Sequence, residues 1–175
     1  MGQRHGGDAS FRELIAGARR VCLDTNACIY YLGQVEDPYP DMVEIALQCP
    51  DAGPMPHISG LVYMELLGHP MKSGSEAERR VIEEFILEAT GEGPKSIDVD
   101  ELAFAAQIRA RTNMKPPDAL VAASAAVHGC DVIVTNDSDF LRLELMYDMP
   151  FVRRGKPALQ VPRVVLLSEY VDNIG

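Results

Sequence analysis

Four carboxylates stand apart from the other acids of the chain because each ends or interrupts an apolar run. Asp24 follows Val21-Cys22-Leu23, and Glu65 is the one charge in Leu61-Val62-Tyr63-Met64-Glu65-Leu66-Leu67. Asp118 is the only ionisable residue from Asp118 to Val127, and Asp137 follows Val132-Ile133-Val134-Thr135-Asn136. A buried carboxylate needs a compensating charge, yet no Arg or Lys accompanies these runs. If all four gather in one place, each like-charged pair at ~5 Å and an effective dielectric of ~20 costs roughly 3 kcal/mol. A divalent cation relieves that repulsion. Oxygen-only ligands, with no His or Cys among them, favour Mg²⁺ or Mn²⁺ over zinc.

Each acid also has a local role that asks nothing of chemistry. Asp24 precedes a helix-like segment and is a good N-cap. Glu65 borders an apolar face, where a solvated flank position is ordinary. Asp118 lies in a first helical turn, a placement the helix dipole favours by about 0.3–1 kcal/mol. Asp137 and Asp139 flank Ser138 at a strand-to-helix junction, so one of the three residues caps that helix whatever the function. The set is more telling than any member: four segments deliver an acid to one expected edge.

The elements that would position them alternate. Residues 21–23 and 132–135 read as strands buried on both faces, with shorter strands expected at 57–59 and 95–99 and further ones at 150–152 and 164–167. Helices are expected at 11–18, where Ser10 and Glu13 have capping-box spacing, at 41–49, and at 60–68, where His69-Pro70 is expected to end the helix. Ser75 and Glu78 open another, with Val81, Ile82, Phe85, Ile86 and Ala89 as one apolar stripe. Helices over 100–111 and 118–128 follow, the latter closed by Gly129, and a last one runs to about Tyr147. Strands alternating with helices imply a three-layer α/β/α sandwich around a mostly parallel sheet of four to five strands. Strand-end carboxylates then lie where open α/β sheets bind ligands. Residues 1–20 read as an N-terminal extension with a short helix, and 21–175 as a single domain.

Composition narrows the class. The chain has 175 residues, 47% hydrophobic and 24% charged, which suits one globular domain. No apolar run reaches the roughly 18 residues a membrane span needs, and no signal peptide is visible, so the expectation is an intracellular, cytoplasmic protein. A formal charge of −10 opposes bulk attraction to nucleic acid while leaving room for a local basic rim. Cys22, Cys28, Cys49 and Cys130 form no Cys-x-x-Cys pair and read as small buried hydrophobes.

Leu23-Asp24-Thr25-Asn26, the helical Glu65, Pro117-Asp118-Ala119-Leu120-Val121-Ala122-Ala123 and Val134-Thr135-Asn136-Asp137-Ser138-Asp139-Phe140 resemble the four signature blocks of PIN-domain ribonucleases, in an order and spacing most like the VapC-type toxins. The resemblance covers about residues 21–151. It implies that Asp24, Glu65, Asp118 and Asp137 form the catalytic acidic quartet, with Asp24, Asp118 and Asp137 on a Mg²⁺ or Mn²⁺ ion. It places Asn26 and Thr135 at the polar positions behind the quartet, and leaves Asp139 as either an extra ligand or the helix cap. The activity implied is metal-dependent endoribonuclease cleavage of RNA. The partners implied are RNA, a homodimeric second copy and a small antitoxin whose segment fills the acidic groove. The N-terminal extension and the tail after Arg153 depart from the compact toxin pattern.

Substrate contact requires cations. Lys115, Arg142 and the Arg153-Arg154-Gly155-Lys156 cluster are the candidates, each also readable as ordinary surface charge. Two other catalytic classes are set aside on residues. A haloacid-dehalogenase phosphatase needs an Asp two positions after Asp24, where Asn26 stands, and a response-regulator receiver needs an earlier acidic pair. A PIN-like binding module without turnover is the competing reading.

Overall fold

The computed structural model describes residues 9–33, 38–48 and 55–175. After a short helix α1 (Phe11–Ala16) comes strand β1 (Arg20–Leu23), then helices α2 (Thr25–Gly33) and α3 (Tyr39–Leu47) and strand β2 (Met55–His57). Four helices follow: α4 (Gly60–Ser73), α5 (Glu76–Thr90), α6 (Val99–Thr112) and α7 (Pro116–Val127). Strand β3 (Val132–Thr135) leads into a 3-10 run, Ser138–Met146. A hairpin of β4 (Phe151–Arg153) and β5 (Lys156–Leu159) precedes β6 (Arg163–Leu166).

The central sheet has the order β2-β1-β3-β6, and every neighbouring pair in it is parallel. Cys22 lies opposite both His57 and Ile133, which fixes the register of the two central strands. The chain leaves β1 for β2 on one side and later returns to β3 on the other. Right-handed crossovers therefore send α2 and α3 over one face and α7 over the opposite one. The result is the expected three-layer sandwich, with four strands. The strand order reverses between β1 and β3, so the crevice at their carboxyl ends is the topological switch point.

Local chemistry explains the elements around that crevice. Val21, Cys22 and Leu23 in β1 and all four residues of β3 are buried, as a strand covered on both faces requires. Helix α7 starts on Pro116-Pro117, where missing N–H groups cost nothing, and ends before Gly129, whose φ of 72° is the left-handed geometry that closes a helix. Its alanines 119, 122, 123, 125 and 126 are buried, which lets the helix lie close to the sheet and to α6. Phe11 and Ile15 of α1 belong to the same hydrophobic core as Val21 and Ile133. The backbone N–H groups of Phe11 and Arg12 donate to the carbonyls of Asn173 and Ile174, so the two departures from the compact pattern clasp each other.

Several boundaries differ from the sequence reading. The strand expected at 57–59 falls at Met55–His57, two residues earlier. Residues 95–99 form no strand; one isolated bridge joins Ser59 to Lys95. The reason is a capping box: Asp98 accepts from the Glu101 N–H while Glu101 accepts from the Asp98 N–H, which commits Val99 to α6. Helix α4 runs through Pro70 to Ser73 rather than ending at His69, and the N–H groups of Gly74 and Ser75 donate to the Pro70 carbonyl to close it. The segment after β3 is 3-10 rather than α-helical. Cys22, Cys28 and Cys130 are buried free thiols, whereas Cys49 lies outside the described residues, as do parts of the expected loops at 36–40 and 50–56.

Candidate metal centre

Asp24 ends β1 at the switch point. Its N–H donates to the Val134 carbonyl at 3.1 Å, continuing the ladder to β3, and its own carbonyl accepts from the Cys28 N–H, opening α2. The side chain is buried, 7% exposed, and its Oδ2 accepts from Asn26 Nδ2 at 2.9 Å and from Thr135 Oγ1 at 2.8 Å. Thr135 is the hub of this corner: its oxygen also accepts from Asn26 Nδ2 at 3.1 Å and from the Asp137 N–H at 3.0 Å. Asn26 Oδ1 in turn accepts from the Asn136 N–H at 2.9 Å. Asn26 and Thr135 thus tie β1 to β3 across the crevice and fix the direction of the Asp24 carboxylate.

Asp118, Asp137 and Asp139 converge next to it. Each offers one carboxylate oxygen, and the three oxygens lie within 4.8 Å of one another. Asp137 is the cap of the 3-10 run: its side chain accepts from the Asp139 N–H at 2.8 Å. That settles the capping alternative in favour of Asp137 and leaves the Asp139 carboxylate turned into the cluster. Asp118 Oδ2 is buried and has no hydrogen-bond partner among the described residues. Three converging carboxylates form an oxygen-only donor set that suits a hard divalent cation.

Glu65 is exposed on α4, at the rim, and accepts a short hydrogen bond from Thr25 Oγ1 beside Asp24. It is not among the three converging oxygens, and neither is Asp24, but both reach the cluster electrostatically. Burial, opposed by the Thr135 and Thr25 hydrogen bonds and reinforced by the charges of Asp118 and Glu65, pushes Asp24 up to about 6. Asp118 is also raised, by burial and then by Asp137, with smaller contributions from Asp139 and Glu65 against a lowering by Lys115. Burial is the larger cause of both shifts, and the neighbouring carboxylates add to it.

The candidate cations divide. Lys115 Nζ lies 3.3 Å from Asp139 Oδ2, and Arg142 Nε lies 3.5 Å from Asp139 Oδ1 while its Nη1 donates to the Thr112 carbonyl. Both flank the cluster. Arg153 does not. Its guanidinium bonds Asp100 Oδ2 at 3.1 Å and the Pro157 carbonyl at 2.9 Å, and Lys156 Nζ also pairs with Asp100 at 2.6 Å. Asp100 opens α6 and Thr112 closes it, so the hairpin cations lie about 18 Å along that helix from the end Arg142 touches. Arg153, the exposed Arg154 and Lys156 therefore stand at the wrong end of the molecule to meet a substrate at the acidic cluster.

Sequence reasoning did not single out Asn136 and Tyr30 as neighbours of this site. Asn136 Oδ1 accepts from the Ser168 N–H at 3.0 Å, and its Nδ2 donates to Tyr30 Oη at 3.4 Å. The available signal was the i, i+4 spacing of Asn26 and Tyr30 on α2, which stacks them on one helix face.

A four-stranded parallel sheet, helices on both faces and a carboxylate-lined switch point define an α/β protein with an acidic crevice at its strand ends. The model of the PIN domain matches residues 21–145, and the chain belongs to that family. Among curated proteins none matches by sequence. Solved structures that resemble it include VapBC2 from Rickettsia felis bound to a DNA fragment from their promoter, with a TM-score of 0.55, 20% identity, and coverage of 70% of this chain and 91% of that one. FitAcB from Neisseria gonorrhoeae gives a TM-score of 0.54 at 20% identity over 70% and 91% of the two chains. VapBC-5 from Mycobacterium tuberculosis, a member of a toxin-antitoxin family, gives 0.52 at 17% over 85% and 99%. These likenesses establish the fold.

Proposed function

We propose that this chain is a Mg²⁺- or Mn²⁺-dependent endoribonuclease, acting as the toxin of a toxin-antitoxin pair. The observation that carries the reading is the convergence of one carboxylate oxygen each from Asp118, Asp137 and Asp139, with Asp24 raised nearby. Asp118, Asp137 and Asp139 would hold the ion, with Asp24 completing the anionic wall. Bound there, a divalent ion supplies Lewis-acid polarisation of a phosphate and a lowered pKa for water.

The protein's own residues would do the rest. Asn26 and Thr135 hold Asp24 in a fixed direction. Glu65, exposed at the rim, would take the proton of an attacking water. Lys115 and Arg142, both beside Asp139, would meet substrate phosphates once that carboxylate is otherwise engaged. In-line attack of water then cleaves the phosphodiester.

The domain assigned this role is 21–175, with 1–20 as an extension. The toxin role draws on two similar structures, a toxin-antitoxin complex from Klebsiella pneumoniae and VapBC-5, a member of a family of toxin-antitoxin systems. By the same analogy a small antitoxin would cover the acidic crevice, two copies would pair, and the protein would act in the cytoplasm. No helix among the described residues is long and apolar enough to cross a membrane.

Incubating the purified protein with RNA, with Mn²⁺ or Mg²⁺ and then with EDTA, tests the reading. Cleavage should require the cation and fall on the order of a thousandfold in Asp24→Asn and Asp118→Asn, the loss expected when several kcal/mol of transition-state stabilisation disappear. Cation-independent cleavage, or activity retained in both variants, would contradict it. RNA binding without turnover in the wild-type protein would favour the binding-module alternative.

A further inference from the structure

Asn136, between Thr135 and Asp137, offers no carboxylate, yet it bonds three separate segments. Its backbone N–H donates to Asn26 Oδ1 at 2.9 Å, its Oδ1 accepts from the Ser168 N–H at 3.0 Å, and its Nδ2 donates to Tyr30 Oη at 3.4 Å. A peptide N–H can only donate, so the Ser168 contact fixes which way the Asn136 amide faces. Asn26 is oriented in the same way. With its Oδ1 held by the Asn136 N–H, its Nδ2 is turned to Asp24 Oδ2 at 2.9 Å. Were the Asn136 peptide to shift, Asn26 could turn over and set an oxygen against that carboxylate. One line of hydrogen bonds therefore runs from Asp24 to the 3-10 turn Leu167–Glu169 that follows β6.

The line continues to the two ends of the chain. Leu167 is buried in the core, and two residues past Ser168 the Tyr170 ring meets that of Phe11, centroids 5.9 Å apart. The Asn173 and Ile174 carbonyls then accept from the Phe11 and Arg12 N–H groups, at 2.9 and 3.2 Å. Helix α1 and the tail both lie outside the residues 21–145 that match the family. The Asn136 amide joins them to the acidic crevice.

We propose that Asn136 is a positioning residue of the acidic centre, and that through it the seating of the C-terminal tail sets how tightly the centre holds a divalent cation. This deepens the metal-dependent reading and rests on it; Asn136 itself touches no reacting atom. Removing a group that orients the surroundings of a metal typically costs roughly 10- to 100-fold in affinity. Asn suits the position because one short side chain carries both an acceptor and a donor. Asp lacks the donor for Tyr30, and Leu lacks both.

The test is calorimetric titration of the full chain with Mn²⁺, beside thermal melts in EDTA. Asn136→Ala should raise the Mn²⁺ dissociation constant about tenfold or more. Tyr170→Leu, which loosens the tail far from the acids, should raise it by less, and should add little in the double variant because both act along one route. Ile86→Val, a core change on α5, should lower the melting temperature in EDTA and leave the Mn²⁺ constant alone. Saturating Mn²⁺ should restore RNA cleavage in Asn136→Ala with KM for RNA unchanged, which a misfolded variant would not show. A wild-type Mn²⁺ constant in Asn136→Ala overturns the positioning role while leaving the nuclease standing, and losses that add fully in the double variant overturn the route through the tail. Should Asn136→Ala fail to fold, an unchanged constant in Tyr170→Leu overturns the proposal by itself. Mn²⁺ bound by the wild-type protein without RNA cleavage removes the nuclease reading but not the positioning role; no Mn²⁺ bound removes both.

Discussion

The two ends of the sheet treat carboxylates in opposite ways. At the amino-terminal edge, Asp131 takes a bidentate grip from the Arg19 guanidinium, at 2.8 and 3.3 Å, and its carboxyl is held below the usual range. Asp100 is held down by Lys156 and Arg153. Glu101 is buried completely; burial alone would raise it, but hydrogen bonds to His128, Ser124 and the Asp98 backbone outweigh that and leave it low. At the carboxyl edge Asp24 and Asp118 are both raised. The same chain holds three acids low where they only join elements and leaves two raised where β1 and β3 open to solvent. Raised acids kept at one edge, where only Asp139 is paired to Lys115 and Arg142 among the described residues, are a reservoir that binding can discharge.

The sharpest way to break this contrast is one substitution at each edge. Glu101→Ala removes a buried carboxylate that caps Asp98 and faces His128 Nε2 at 3.3 Å, and should cost about 3 kcal/mol of stability, the usual price of stranding one member of a buried pair. Asp118→Asn should go the other way, raising the melting temperature in EDTA and abolishing the further rise that Mn²⁺ gives the wild-type protein. Equal destabilisation by both would show that the two edges do not differ.

pH sharpens it further, since two buried groups pull in opposite directions. Asp24 is raised from 3.8 to about 6, so the folded state binds its proton more tightly. Its contribution is unfavourable above pH 6, by about 3 kcal/mol, and vanishes as pH falls toward 4. His57 is buried against the His128 ring, 4.6 Å away, and hydrogen-bonds Ser124 Oγ at 3.0 Å. Burial, with the nearby His128 and Arg20, lowers it to about 3. The unfolded chain then takes up the proton first, so stability contributed by neutral His57 is full above pH 6.5 and falls by about 2 kcal/mol at pH 5. Between pH 7 and 5 the two nearly cancel in the wild-type protein. Asp24→Asn removes one of them and should show a steeper loss of stability on acidification, measured by thermal melts at pH 7 and 5. Mn²⁺ should stabilise the wild-type protein at pH 7.5 far more than at pH 5.

Much of the acidic edge was legible because its signals are local. An acid ending a buried strand, or standing alone in an alanine helix, can be read from neighbours within one turn, and the switch point then follows from alternating elements. The role of Asp139 was not, because whether Asp137 or Asp139 caps the 3-10 run depends on one backbone torsion, and the cap took Asp137. The strand expected at 95–99 failed against a signal that was present, the Asp98–Glu101 capping box. Helix α4 passed Pro70 because the chain could close it four residues later at Gly74, whose φ is 71°. The stacked His57 and His128 and the Tyr30–Asn136 contact join residues 71 and 106 positions apart, which no local pattern encodes. The basic cluster at 153–156 was misplaced for the same reason: its partner, Asp100, lies more than 50 residues upstream.

That misplacement supplies the smallest and most discriminating comparison, between two lysines. Lys115 is 70% exposed and pairs with Asp139, while Lys156 is 57% exposed and pairs with Asp100. As surface pairs, each should contribute less than about 1 kcal/mol to stability, so either can be changed to alanine without unfolding the protein. Their effects on RNA should differ. A lysine that meets a phosphate releases a counterion, and removing it lowers the dependence of log affinity on log salt by about 0.7 for single-stranded nucleic acid. Lys115→Ala should weaken RNA binding and reduce the slope by about that amount, whereas Lys156→Ala should change neither. The measurement is a salt series of binding isotherms on one single-stranded RNA. A reduced slope in Lys156→Ala with none in Lys115→Ala would move the substrate path to the hairpin and away from the carboxyl edge.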